Sequence, residues 1–263
     1  MAEYLEFFFL GLLQGVFEWL PISSQGILVL SLVLLLGFKP SEAADISILL
    51  HLGTCLAAMI YFRRDIVKIL KRSSDEDERM LFFLLVASSA TVISGLPTYL
   101  FFRGVGSQGE AFLGLLGGAL IITGLAQRRG EPRRGISSKA PSLGTGLLLG
   151  LLQGLSALPG LSRSGITISA LLLHGFEGEE ALRISYLSSI PASLFASLGV
   201  ILLGGSIPLG PHLLTAAMAS LISALITIGS LIRISQRVNF SSFCILMGLV
   251  SLISFILKFI IIL

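Results

Sequence analysis

Residues 12–27, LLQGVFEWLPISSQGI, return at 151–166 as LLQGLSALPGLSRSGI, and this internal repeat limits what the chain can fold into more than any other feature. Gln14 and Gln153, Gly15 and Gly154, Ser23 and Ser162, and Gly26 and Gly165 stand a constant 139 positions apart. The chain is an internal duplication. Each copy reads as an apolar helix broken by Pro and Gly, a Ser-rich turn, and a second apolar helix. In a membrane protein that is the form of a discontinuous or re-entrant element lining a site. The two copies carry the only obviously intramembrane charges, Glu18 in the first and Arg163 in the second. A pseudo-two-fold axis that brings them together makes a polar site near the bilayer midplane.

That a membrane is the solvent follows from composition: 54% hydrophobic residues and 13% charged residues are far from a soluble domain. The apolar runs are long and continuous, which predicts an all-α polytopic membrane protein and argues against a β-barrel of short alternating strands. The first run has no basic n-region and contains Glu18 and Pro21, so it is expected to remain in the mature protein. Cys55 and Cys244 lie in apolar runs without zinc-site spacing. The basic balance does not imply nucleic acid, because Lys and Arg collect between apolar runs, where they set topology.

Six runs are long enough to cross a bilayer, which takes about 17 to 25 residues: residues 44–62, 80–103, 111–126, 183–203, 212–233 and 242–262. With the two hairpins they predict a single membrane domain, repeat one over 1–126, a cytoplasmic linker over 127–142 and repeat two over 143–263. Three crossings per half invert the second half relative to the first. The loop after the first span holds Arg63, Arg64, Lys68, Lys71, Arg72 and Arg79, and the linker holds Arg128, Arg129, Arg133, Arg134 and Lys139. The positive-inside rule makes these cytoplasmic and places both termini outside a cell membrane. The acidic run 73–78 reads as the N-terminus of the second span, with Ser73 and Glu76 at capping-box spacing.

Gln14 and Glu18 are four apart on a helix and share a face. Beyond Pro21, Ser23 and Ser24 are placed to cap a helix whose free N–H groups can hold an anion. The second copy repeats the device with Ser162, Ser164 and Gly165, adds Thr167, and puts Arg163 where the first has Ser24. Arginine offers a planar fork suited to phosphate. Two helix N-termini, an arginine and several hydroxyls describe a phosphate or diphosphate cradle. The competing reading of Glu18 and Arg163 is an ion pair that only locks the repeats together.

The pair of motifs, Q-G-V-F-E-W-L-P-I-S-S-Q-G and P-G-L-S-R-S-G-I-T, resembles the undecaprenyl-pyrophosphate phosphatase family, the bacitracin-resistance membrane proteins. The resemblance covers the whole chain in length, span count and motif position. It implies removal of the terminal phosphate from a C55 polyprenyl diphosphate, dependence on a divalent cation (Mg²⁺ or Ca²⁺) at Glu18, and a site open to the outside. Carried onto this sequence, it points to Glu18, Ser23, Ser24, Ser162, Arg163, Ser164 and Thr167. The first motif departs from the family's at two positions, with Gln14 in place of a glutamate and Ile27 in place of a histidine. Gln14 can ligate but cannot be a base, and Ile27 can do no polar chemistry. His51 could supply an imidazole, although a lone histidine in a span more often packs; His174 and His212 are weaker candidates.

The expected function is therefore an integral-membrane polyprenyl-diphosphate phosphatase. Glu18, Ser24 and Arg163 would be catalytic, with Gln14, Ser23, Ser162, Ser164, Gly165 and Thr167 binding substrate. The rival is a flippase for polyprenyl phosphate, since inverted repeats with broken helices also build transporters; a catalytically dead scaffold is a third option. The partners are the lipid diphosphate and the bilayer, and a homodimer is left open.

Overall fold

The computed structural model describes residues 2–106, 111–128, 141–203, 210–235 and 241–262. Among them the secondary structure is entirely helical. The helices are α1 (Ala2–Phe17), α2 (Ser24–Leu34), α3 (Pro40–Tyr61), α4 (Arg63–Lys71), α5 (Asp75–Gly106), α6 (Ala111–Arg128), α7 (Leu143–Leu155), α8 (Arg163–Leu173), α9 (Gly178–Leu203), α10 (Pro211–Ser235) and α11 (Ser241–Ile262). Four of them, α3, α5, α9 and α10, are long and apolar enough to cross a membrane, and the chain is a multi-pass membrane protein. The third and sixth expected spans are also helical, as α6 and α11, with shorter apolar stretches at 114–125 and 244–253. Most of the expected linker, residues 129–140, lies outside the described residues.

The two halves exchange partners: α1 lies along α10, and α7 along α5, while α6 pairs with α11 and α3 with α9. Small residues allow the first two contacts. Gly11 and Gly15 on α1 recur as Gly150 and Gly154 on α7, a G-x-x-x-G spacing in both halves. A Cβ at Gly15 would lie 2.5 Å from the Ser220 carbonyl oxygen on α10, and one at Gly154 would lie 2.6 Å from the Gly95 amide on α5. A Cβ at Gly11 or Gly150 would collide with the backbone oxygen of Ala216 or Ala87. Gly150→Leu must push α7 off α5. It is expected to abolish a monodisperse peak in detergent gel filtration, whereas Gly104→Leu, where a Cβ meets nothing, leaves it intact.

Local signals differ from the sequence expectation in three places. The loop after the first span is largely helical, as α4. The cap of α5 sits one residue later than expected: Ser74 Oγ accepts from the Asp77 amide (3.2 Å) and donates to the Asp77 carboxylate (2.8 Å). Glu18 and Arg163 are also not the sole charges among the spans. Asp45 on α3 is buried, accepts from the Tyr99 hydroxyl at 2.7 Å and pairs with Arg103 at 3.6 Å.

Candidate active site

Each hairpin turns at a serine that caps its second helix. Ser162 caps α8 in extended backbone, its Oγ accepting from the Gly165 amide at 3.1 Å. Ser23 caps α2 from the left-handed region (φ 61°), its Oγ accepting from the Gly26 amide at 3.3 Å. A non-glycine residue there is strained, and such strain is held only where surrounding contacts fix it. The hairpins meet where Gly26 faces Gly160, and a Cβ at Gly26 would come within 3.0 Å of the Gly160 backbone. Gly160 itself needs its positive φ of 99°. Thr123 of α6 clasps this turn, donating to the Gly160 carbonyl (2.9 Å) and accepting from the Ser162 amide (3.1 Å). The N-termini of α2 and α8 are thereby fixed side by side.

Glu18, buried just past the end of α1, is the centre of the site. Its Oε1 receives Arg163 Nη2 from the other hairpin. Its Oε2 accepts from Gln14 Nε2 at 3.0 Å and from Ser24 Oγ at 2.7 Å, and lies 3.2 Å from His51 Nε2. His51 Nδ1 is 2.7 Å from the Ser47 carbonyl. A carbonyl only accepts, so Nδ1 carries the hydrogen and Nε2 is left to exchange a proton with Glu18. His51 comes from α3, outside both repeated motifs, and nothing in its local sequence singles it out.

The other candidates fall into two groups. Ser23, Ser24, Ser162, Arg163 and Ser164 line a small polar pocket of about 30 Å³ together with Glu18, His51, Gln25 and Ser156. Ser164 Oγ lies 3.3 Å from Ser162 Oγ. Gln14, Gly165 and Thr167 do not line it. Gln14 is fully buried behind Glu18, Gly165 gives its amide to the Ser162 cap, and Thr167 bonds to the Arg163 carbonyl (2.8 Å) and Ser185 (2.7 Å). Ile27 is buried in an apolar cluster with Leu20, Ile22 and Cys244. His174 and His212 lie away from the pocket, His174 bonded to the Ala170 carbonyl and His212 near Glu3. Gln25 and Ser156 are site residues that sequence reasoning missed. Gln25 sits inside the first motif between two named residues, while Ser156 carried no signal.

Against the polar pocket lies an apolar cavity of about 310 Å³ between α5 and α9. It runs past Val92, Leu96 and Tyr99 on α5 and past Phe195, Leu198 and Leu202 on α9. Gln25, His51, Ser156 and Arg163 line both spaces and form the junction. Matching the halves makes α3–α10 the counterpart of α9–α5. That counterpart is closed: a Cβ at Gly53 would lie 2.5 Å from the Ala217 carbonyl oxygen, and Ser220 Oγ donates to the Leu50 carbonyl at 3.2 Å.

Among the described residues, the buried side-chain atoms without a hydrogen-bond partner are Gln14 Oε1, Trp19 Nε1, Gln25 Nε2 and Arg163 Nη1. All four belong to the two hairpins. Buried polar groups are nearly always paired; Gln14 and Trp19 line neither cavity, whereas Gln25 and Arg163 line both. Gln25 and Arg163 are donors lining the pocket, as an anion requires.

The family described as bacitracin resistance protein BacA matches residues 7–253. The undecaprenyl-diphosphatase of Haloarcula marismortui is 39% identical over 251 residues, covering 91% of this chain and 92% of that protein. That of Methanococcoides burtonii is 39% identical over 268 residues, covering 98% and 100%. That of Methanothrix thermoacetophila is 40% identical over 248 residues, covering 92% and 93%.

Proposed function

The chain belongs to the family of the bacitracin resistance protein BacA, and from that premise we propose that it is a membrane polyprenyl-diphosphate phosphatase with its active site between the two hairpins. The observation that carries this reading is the position of Arg163. One nitrogen holds the single carboxylate of the pocket, and the other is a buried donor without a partner, between a polar pocket and an apolar cavity. An amphiphile with an anionic head suits that junction, its tail lying along α5 and α9 and its terminal phosphate among the serines.

Ser24 is the nucleophile in this reading. As its oxygen bonds to the terminal phosphorus, its proton passes to Glu18 Oε2, 2.7 Å away, and the bond from that phosphorus to the bridging oxygen breaks. The lipid leaves as its monophosphate. Water then displaces the phosphoryl group from Ser24, and inorganic phosphate departs. His51 Nε2 lies within reach to relieve Glu18 of the proton. Arg163 and the amides at the N-termini of α2 and α8 stabilise charge on the phosphoryl oxygens, which is most of what phosphoryl transfer requires.

Glu18 is the one carboxylate lining the pocket and would be the residue to hold a divalent cation. No three His, Cys, Asp or Glu side chains gather among the described residues, and Gln14, whose Oε1 lacks a partner, does not line the pocket. A hard cation at that carboxylate would depend on substrate phosphates and water for most of its ligands. When bound it neutralises phosphoryl charge. Purified protein with farnesyl or undecaprenyl diphosphate and Mg²⁺ or Ca²⁺ is expected to release inorganic phosphate and lipid monophosphate in equal amounts. Chelation should stop it, and release that persists in excess chelator counts against the cation.

The finer architecture belongs to the same proposal: six crossings and two re-entrant hairpins in an inverted repeat, in the plasma membrane with both termini outside. The exchanged packing of α1 on α10 and α7 on α5 supports the repeat, and the basic residues of α4 and residues 128–139 support the orientation. Cysteines introduced at Ser137 and Gly210 are expected to react with an impermeant maleimide from opposite faces; labelling of both from one face contradicts the inversion. The open α5–α9 cavity opposite a closed α3–α10 contact favours one second reading, a carrier that alternates between them.

A further inference from the structure

We infer that Gln25 is the seat of the phosphate that stays on the lipid, so that the protein binds its polyprenyl monophosphate product through a contact separate from the terminal-phosphate pocket. The inference rests on the diphosphate reading of the site. Gln25 is 9% exposed, and its Nε2 is a buried donor with no partner. It lines both the polar pocket and the apolar cavity. A diphosphate with its tail in the cavity and its terminal phosphate among Ser24, Ser162 and Ser164 carries its other phosphate through the boundary between the two spaces. Of the residues at that boundary, His51 faces Glu18 and Ser156 donates to the Gln153 carbonyl at 2.5 Å. Gln25 Nε2 and Arg163 Nη1 are the donors there left without partners.

The residue type fits the task. A neutral amide donates to a phosphate oxygen without adding charge beside Arg163, so the monophosphate is held while its release stays reversible. After cleavage the terminal pocket loses inorganic phosphate, and the contact at Gln25 persists as long as the lipid does. Gln25 is thus a specificity residue that separates a lipid phosphate from free phosphate.

Gln25→Met keeps length and volume and removes the donor, and Gln25→Glu keeps the shape and reverses the polarity. The detergent-solubilised full chain is titrated with farnesyl monophosphate and, separately, inorganic phosphate. The emission of Trp19, the chain's one tryptophan, reports binding directly, and inhibition of phosphate release reports it independently. A hydrogen bond to a charged group is worth about tenfold or more in affinity. Gln25→Met is therefore expected to weaken farnesyl monophosphate about tenfold and leave inorganic phosphate within twofold. KM for the diphosphate should rise while kcat stays within twofold, and Gln25→Glu should weaken the monophosphate further. The glutamate variant decides the matter should the methionine variant not purify. Unchanged monophosphate binding, an equal loss for both probes, or a fall in kcat alone would overturn the assignment. So would a parent protein that does not bind the monophosphate. The emission titration needs no turnover: a parent that binds the monophosphate through Gln25 yet releases no phosphate sinks the hydrolase reading and spares this one.

Discussion

Glu18→Gln is expected to lower phosphate release from a polyprenyl diphosphate by about 10² to 10⁴-fold, the usual worth of general acid–base help. The isosteric amide still accepts from Ser24 but cannot take its proton, and it no longer balances Arg163. The loss should therefore fall on kcat. His51→Asn is expected to share it in lesser degree, because His51 acts through the same carboxylate oxygen at 3.2 Å. Phosphate release measured over a range of substrate concentrations checks both. A Glu18→Gln variant that turns over like the parent removes Glu18 from the chemistry.

The second large effect is expected at Arg163. Arg163→Lys keeps the charge and loses the planar fork, whose separate nitrogens hold Glu18 and leave a second donor for a phosphate oxygen. Removing one oriented donor of this kind costs about 10² to 10³ in rate. The lysine variant should still purify, whereas Arg163→Ala leaves Glu18 buried without its counter-charge, at about 3 to 5 kcal/mol. Melting curves beside kinetics separate the roles. A purely structural pair predicts that Glu18→Gln/Arg163→Met is at least as stable as the parent and that Arg163→Lys affects stability alone.

Why some of the site is legible in the sequence and some is not follows from where each residue stands. The constant offset of 139 identifies the two hairpins, and with them Glu18 and Arg163. The i, i+4 spacing foretells the Gln14–Glu18 contact, and a helix after a serine foretells the caps at Ser23 and Ser162. His51 is different. It belongs to α3, and nothing local says that its Nε2 reaches a carboxylate 33 positions away. Only tertiary packing brings it there. Ile27 teaches the converse: a motif position need not face the site, and the imidazole function attributed to that position by resemblance would enter an apolar cluster here. Thr167 likewise shares the motif and serves its helix backbone. The Gly11/Gly15 and Gly150/Gly154 spacing is written plainly in the chain, but which helices it admits is decided by the exchange between halves.

The most direct test reconstitutes the parent and Glu18→Gln into sealed vesicles and follows inorganic phosphate and the sidedness of a labelled lipid phosphate in the same sample. A phosphatase with Glu18 as its base releases phosphate in the parent with Mg²⁺ or Ca²⁺, loses that release in Glu18→Gln, and moves no lipid phosphate beyond that of empty vesicles. Labelled lipid phosphate crossing the bilayer with the parent, while neither protein releases phosphate, would contradict the phosphatase reading and identify a carrier.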